Sequence, residues 1–170
     1  MNYSRKLLLI IILFCSTAFA QWEAGTSLNY KSEIPETGLG INIARNLSFQ
    51  FASFGIKWRI GAEIYRSNEN QKTIKNEEYH TELIITFFER YLNPYLGLSF
   101  GVGNYSVYNF NKFIFFLGSI GGIKFPIINW LHPFLEIYSN YYFSDFNIDQ
   151  TLKEISSFQI TAKAGIIIRF

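Results

Sequence analysis

The sequence predicts an all-β fold, an eight-stranded antiparallel up-and-down transmembrane β-barrel, preceded by an export signal. Three observations carry this expectation: eight segments in which apolar residues recur at every second position, connections of alternating length between them, and an N-terminal apolar stretch too short to cross a bilayer as a helix. The 170 residues are 49% apolar, 19% aromatic and 16% charged. That is too hydrophobic for a disordered chain and about the length of one domain.

Residues 1–20 read as a secretory signal. Arg5 and Lys6 form the positive region, Leu7 to Phe14 are continuously apolar, and Ala18-Phe19-Ala20 is a small-x-small cleavage site. Cleavage after Ala20 leaves residues 21–170 as the barrel domain. A lipid-attachment signal at Cys15 fits less well, because bulky Phe14 precedes it. With its single cysteine in the signal, the mature chain is expected to hold neither a disulfide nor a paired-cysteine zinc site. The same cleavage removes two of 15 basic residues and leaves 13 against 13 acidic ones, so nucleic acid is not an expected partner.

After the signal the dominant period is two. Trp22, Ala24, Thr26, Leu28 and Tyr30 alternate with Glu23, Gly25, Ser27 and Asn29, which sends the two sets to opposite faces of a strand. Leu39, Ile41 and Ile43 oppose Gly40, Asn42 and Ala44; Ile56, Trp58, Ile60, Ala62 and Ile64 oppose Lys57, Arg59, Gly61, Glu63 and Tyr65. Tyr79 to Phe87 and Leu96 to Val102 repeat the pattern. Residues 113–124 are apolar on both sides, but Gly118 and Gly122 fall on the opposite parity from Phe113, Phe115 and Leu117. Leu135 to Phe143 and Phe158 to Phe170 supply the last two strands.

The connections at 31–37, 66–78, 104–112 and 144–157 are polar and mostly long, whereas those near 46–54, 89–94 and 125–133 are generally shorter. Long loops at one end and short turns at the other suit a barrel whose termini lie in the periplasm. The prolines at 35, 94, 126 and 133 fall in connections or at strand edges, as a hydrogen-bonded ladder requires. Residues 46–54 leave two options, a turn or a bulged extension of the third strand.

The two faces then decide between a membrane barrel and a soluble one. A soluble barrel of this size points its apolar face inward around a ligand. Here the apolar parity is bulky on nearly every strand, and the other is rich in Gly, Ser, Asn and Thr. An eight-stranded interior is only wide enough for side chains, so the small and polar set suits the lumen and the bulky set suits lipid. Aromatic residues near strand ends, including Trp22, Tyr30, Tyr91, Trp130, Phe143 and Phe158, fit interfacial girdles.

The signal, the eight amphipathic strands, the glycine-rich opening Asn93-Pro94-Tyr95-Leu96-Gly97-Leu98-Ser99-Phe100-Gly101 and the ending Ile166-Ile167-Ile168-Arg169-Phe170 together resemble the small outer-membrane barrels of the OmpA and OmpX type. The likeness spans essentially residues 21–170. It implies a bacterial outer membrane with its lipid and lipopolysaccharide as surroundings, and recognition of Phe170 by the barrel assembly machinery. That family includes adhesins, structural barrels and lipid-modifying enzymes, so the fold does not select a function.

Chemistry is sparse in the sequence. His80 and His132 sit in no metal or nucleophile motif, and no cofactor is expected. A deacylase-like set of His132, Glu136 and Ser139 fails on parity, which places Glu136 and Ser139 on opposite faces, and on His132 lying at a periplasmic turn. Arg66, Glu69, Lys72, Lys75, Glu77 and Glu78 read as a solvated loop. Tyr105, Val107, Tyr108 and Phe110 in the loop 104–112, together with the loop 144–157, are the candidate contacts for a surface partner, although the aromatics equally suit a girdle. Parity points Glu23, Glu63, Glu82 and Glu136 inward with Lys57, Arg59, Lys163 and Arg169, a set expected to pair and plug the lumen. The expected role is a non-enzymatic structural or surface-interaction barrel; the alternatives are a lipid-modifying enzyme, a small-solute pore or a secreted lipocalin-like binder.

Overall fold

A computed structural model describes residues 22–32, 36–51, 54–69, 72–87, 91–107, 110–143 and 158–170. The signal segment, Tyr108 and the connection 144–157 lie outside the described residues. Eight strands follow in chain order: β1 (Trp22–Lys31), β2 (Glu36–Phe51), β3 (Phe54–Glu69), β4 (Lys72–Phe87), β5 (Asn93–Val107), β6 (Phe110–Lys124), β7 (Leu131–Phe143) and β8 (Phe158–Arg169). Each pairs antiparallel with its sequence neighbours, and β8 returns to β1, so the sheet closes as the alternation predicts. Closure removes every free sheet edge and pairs the backbone within the wall. The end that carries Trp22 and Phe170 is called proximal below, and the opposite end distal.

Side-chain burial inverts the order of a soluble protein. Leu28, Ile41 and Leu98 are 64–68% exposed, whereas Arg59 and Glu82 are each 2% exposed. The outer wall is a continuous belt of Leu, Ile, Phe and Trp, far larger than the few hundred Å² of contiguous apolar surface tolerated in water. Only a hydrocarbon surround makes such a wall favourable, so the barrel is a transmembrane one. Small inward residues make room for large ones on the next strand. The His80 imidazole lies against Gly61, and the Tyr95 ring lies where a Cβ on Gly122 would stand.

Several strands run further than the hydropathy pattern suggests. The segment 66–78, expected as a loop, is mostly the β3–β4 hairpin, with Arg66 opposite Lys75 and Glu69 opposite Lys72. The segment 104–112 likewise continues β5 and β6, with Tyr105 opposite Lys112 and Val107 opposite Phe110. At the proximal end, β2 continues to Phe51 through a register shift between Asn46 and Gln50, so the irregularity belongs to β2 and not to β3. The doubly apolar β6 points Phe113, Phe115 and Leu117 outward. Its inward Ile114, Phe116 and Ile120 pack against lumen tyrosines.

Candidate functional site: the charged lumen

The charged side chains of the lumen sort into three layers. In the central layer Arg59 projects from β3, and the register sets it opposite Glu82 of β4. Its Nε donates to Glu82, its Nη1 to Glu136 Oε1 at 2.5 Å across the lumen on β7, and its Nη2 to the Tyr138 hydroxyl at 2.6 Å. Tyr138 in turn donates to Glu82 Oε1 at 2.7 Å, and Tyr95 donates to Glu136 Oε1 at 2.5 Å. The planar guanidinium is suited to this fork of acceptors as a lysine is not. Lys163 pairs with Glu63 and sits 3.3 Å from the centroid of the Tyr138 ring, a desolvated cation–π contact. His80 bridges the two halves of the layer, with Nε2 3.2 Å from Glu82 Oε1 and Nδ1 3.7 Å from Glu63 Oε1.

In the distal layer Lys31, at the end of β1, donates to Glu78 Oε1 at 2.5 Å and to the Tyr105 hydroxyl at 3.2 Å. Its ammonium lies 4.0 Å from the Tyr65 ring centroid and within 6 Å of those of Tyr105 and Tyr142. Glu36 Oε2 stands 3.9 Å away. Asn76, Tyr105 and Tyr142 also donate to Glu78 Oε1, at 3.0, 3.1 and 3.0 Å. This is an ammonium held in a tyrosine cage of the protein's own making.

In the proximal layer Glu23 of β1 receives three cations. Lys57 of β3 and Lys124 of β6 both donate to its Oε2, the second at 3.0 Å, and Arg169 Nη2 approaches Oε1 at 3.4 Å. His132 is buried on the inward parity of β7, toward the same end.

Of the charges that parity points inward, Glu23, Lys57, Arg59, Glu63, Glu82, Glu136 and Lys163 have buried side chains in the lumen. Arg169 reaches the proximal mouth with 28% of its side chain exposed. Sequence reasoning missed Lys31 and Glu36, which lie beyond the segments read as clean strands, Glu78, read as part of a solvated loop, and Lys124, which ends the doubly apolar segment 113–124 on the parity of Gly118 and Gly122. Extending the parity into the hairpins could have found the first three, and the glycine parity of 113–124 the last. Tyr105 is corrected: its ring is 4% exposed and turned into the lumen, so it is not a surface contact. Tyr108 lies outside the described residues, and Phe110 opens β6, its side chain not among those described. Exposed Phe170 exchanges backbone hydrogen bonds with Trp22 at 3.0 and 3.1 Å, closing the β1–β8 seam.

The arrangement is poor in catalytic geometry. Ser139 lies on the outward parity while Glu136 and His132 are buried in the lumen, so the three cannot share a proton path. Among the described residues no three His, Cys, Asp or Glu side chains converge to hold a metal ion. The outer wall carries an apolar trough of about 820 Å³ over Gly121, Ala162 and Ala164, flanked by Leu28, Leu96 and Leu135.

No protein-family model matches the chain, and no curated protein matches it in sequence. Among solved structures it is similar to the N-terminal β-barrel domain of Pseudomonas aeruginosa OprF, with a TM-score of 0.63, 12% identity, and 88% of this chain and 97% of that one covered. Neisserial surface protein A matches with a TM-score of 0.57 and 16% identity over 89% of this chain and 96% of that one. The outer membrane enzyme PagL matches at 0.54 and 11% identity over 86% and 98%. The chain therefore has the fold of the small outer-membrane barrels of the OmpA and OmpX type. Since an enzyme shares that fold, the fold does not itself assign an activity.

Proposed function

We propose that the chain is an integral barrel of a bacterial outer membrane with a structural or surface-interaction role and no catalytic activity. Residues 1–20 direct its export and are removed near Ala20. The proximal end faces the periplasm and the distal end the cell exterior, where the connection 144–157 is the contact candidate. Lipid and lipopolysaccharide surround the wall, and the assembly machinery reads Phe170. The observation that supports this reading best is the Arg59 fork to Glu82, Glu136 and Tyr138, which spans the lumen from β3 to β7. A lumen crossed by buried, fully engaged ion pairs is a poor conduit, and the outer wall carries no histidine among the described residues.

Cell fractionation with heat-modifiability in detergent gels tests the location, with recovery in the outer membrane and a heat-dependent mobility shift expected. Recovery of a soluble periplasmic protein without that shift overturns it. Planar-bilayer recording of the purified barrel is expected to show no steady conductance, and a steady large conductance refutes closure. Mass spectrometry of lipid A from cells with and without the protein is expected to show the same species; a protein-dependent change lost in Ser139→Ala would make it an enzyme. Deleting Phe170 is expected to lower the folded yield in cells, and unchanged yield removes its assembly role.

A further inference from the structure

Within the lumen the proximal layer is the one whose cations outnumber their acceptors. Lys57 is 3% exposed and Lys124 2%, and they share a single oxygen of Glu23. Among the described residues Glu23 is the one carboxylate within 4 Å of Lys57, Lys124 or Arg169. The other lumen acids are engaged elsewhere: Glu82 and Glu136 by Arg59, Glu63 by Lys163, Glu78 and, at 3.9 Å, Glu36 by Lys31. With Arg169 at the part-exposed mouth, three basic side chains face one carboxylate, and the two that are buried, Lys57 and Lys124, share one of its oxygens. A buried basic group without a counter-charge of its own is costly.

Hydrogen-bond capacity is unmatched as well. Each ammonium has three donors and makes one carboxylate bond here. Arg169 Nε is buried and donates to no acceptor in the protein. The hydroxyl of Thr86, itself 4% exposed, has no partner; Thr86 stands on the inward parity of β4 opposite Gly55 and Tyr95, toward the same end.

We infer that the proximal mouth of the lumen is a binding site for a compact tetrahedral oxyanion of the phosphate or sulfate class, held by Lys57, Lys124 and Arg169 beside Glu23. Such an ion carries up to two negative charges and several acceptor oxygens, which matches both shortfalls together. Arg169, the partly exposed member, is the gatepost through which the ion enters. Its Nε and Nη groups form the planar edge that oxyanions accept from in bidentate fashion. The ligand is a free soluble ion, because the three cations face the lumen and not the lipid belt. Binding of this kind does not depend on which role the barrel has in its membrane.

The test uses the folded barrel in maltoside micelles, which contain no phosphate, titrated with inorganic phosphate against sodium chloride of equal ionic strength. The expected result is saturable movement of the Arg169 Nε–H resonance and a rise in Tm with phosphate only. Lys124→Met is expected to weaken binding at least tenfold, and Glu23→Gln, which removes the competing carboxylate, to strengthen it. Lys75→Ala on the outer wall is expected to leave the affinity within twofold. If Lys124→Met loses its heat-dependent mobility shift and so fails to fold, Arg169→Gln at the mouth carries the same expectation. A response identical to that of chloride, affinity unchanged in the cation variant, or binding abolished in Glu23→Gln overturns the site.

Discussion

Lys57 and Arg59 stand two residues apart on the inward parity of β3, equally buried, and the sequence gives them the same description. Their surroundings differ in kind. Arg59 meets two carboxylates and a tyrosine hydroxyl, one on each of its three nitrogens. Lys57 meets one carboxylate oxygen, which it shares with Lys124. A lumen charge is therefore stabilising or not according to the ratio of acceptors to donors in its layer, and burial alone does not decide it. In the central layer every nitrogen of the guanidinium has its own acceptor, whereas in the proximal layer the basic groups outnumber the carboxylate they share.

Arg59→Met is the sharpest way to break this comparison. It strands Glu82 and Glu136 in the lumen, and breaking a buried ion pair by removing one partner costs about 3–5 kcal/mol. Urea unfolding of the refolded barrel in micelles measures it. Replacing the carboxylates as well, in Arg59→Met with Glu82→Gln and Glu136→Gln, is expected to recover most of the loss, since a neutral network needs no cation. A loss below about 1 kcal/mol in Arg59→Met alone would mean that water already screens the layer.

Lys31→Met follows, with a smaller expected loss of about 2 kcal/mol, on the scale of a hydrogen bond to a charged group. Glu78 would keep its donors Asn76, Tyr105 and Tyr142, all at 3.0–3.1 Å, so its charge is not abandoned. Tyr142→Phe in the Lys31→Met background separates the two contributions: the double variant should lose more than the sum of the single ones, because each donor then matters more. Strict additivity would show that the cage acts as independent contacts.

The distal cage is also where the sequence was least legible. Period-two alternation shows which face a residue takes only while the two faces differ in hydropathy, as they do for Trp58 and Arg59. Beyond the lipid belt both faces turn polar: Arg66, Lys75 and Glu77 point outward while Ser67, Asn76 and Glu78 point inward. The pattern dissolves there although the ladder continues to Glu69 and Lys72. Tyr105 was misplaced for the related reason that an aromatic in a polar stretch looks like a surface anchor, when its hydroxyl donates to a buried carboxylate. Parity was enough to turn Glu23 and Lys57 inward. Which charges meet depends on strand tilt and on the hairpin registers, among them the shift between Asn46 and Gln50, and these are not written in the hydropathy of any one strand.

Lys57→Met is the smallest effect expected and the most discriminating. In a layer short of acceptors, removing one cation leaves Glu23 still paired with Lys124 at 3.0 Å and approached by Arg169 at 3.4 Å, so no charge is stranded. It also separates Lys124 from a like charge that competes for the same oxygen, and methionine fills comparable volume with no donor to satisfy. Stability in phosphate-free buffer is therefore expected within about 1 kcal/mol of the unmodified protein, on the stabilised side if repulsion dominates. Added phosphate should reverse the order, because an ion bound by the folded state alone stabilises in proportion to RT ln(1 + [L]/Kd), and the variant has one cation fewer with which to hold it. Paired unfolding curves with and without phosphate read both quantities. A loss near that of Arg59→Met in the absence of phosphate would show that Lys57 has acceptors enough of its own, and the contrast between the two layers would fall.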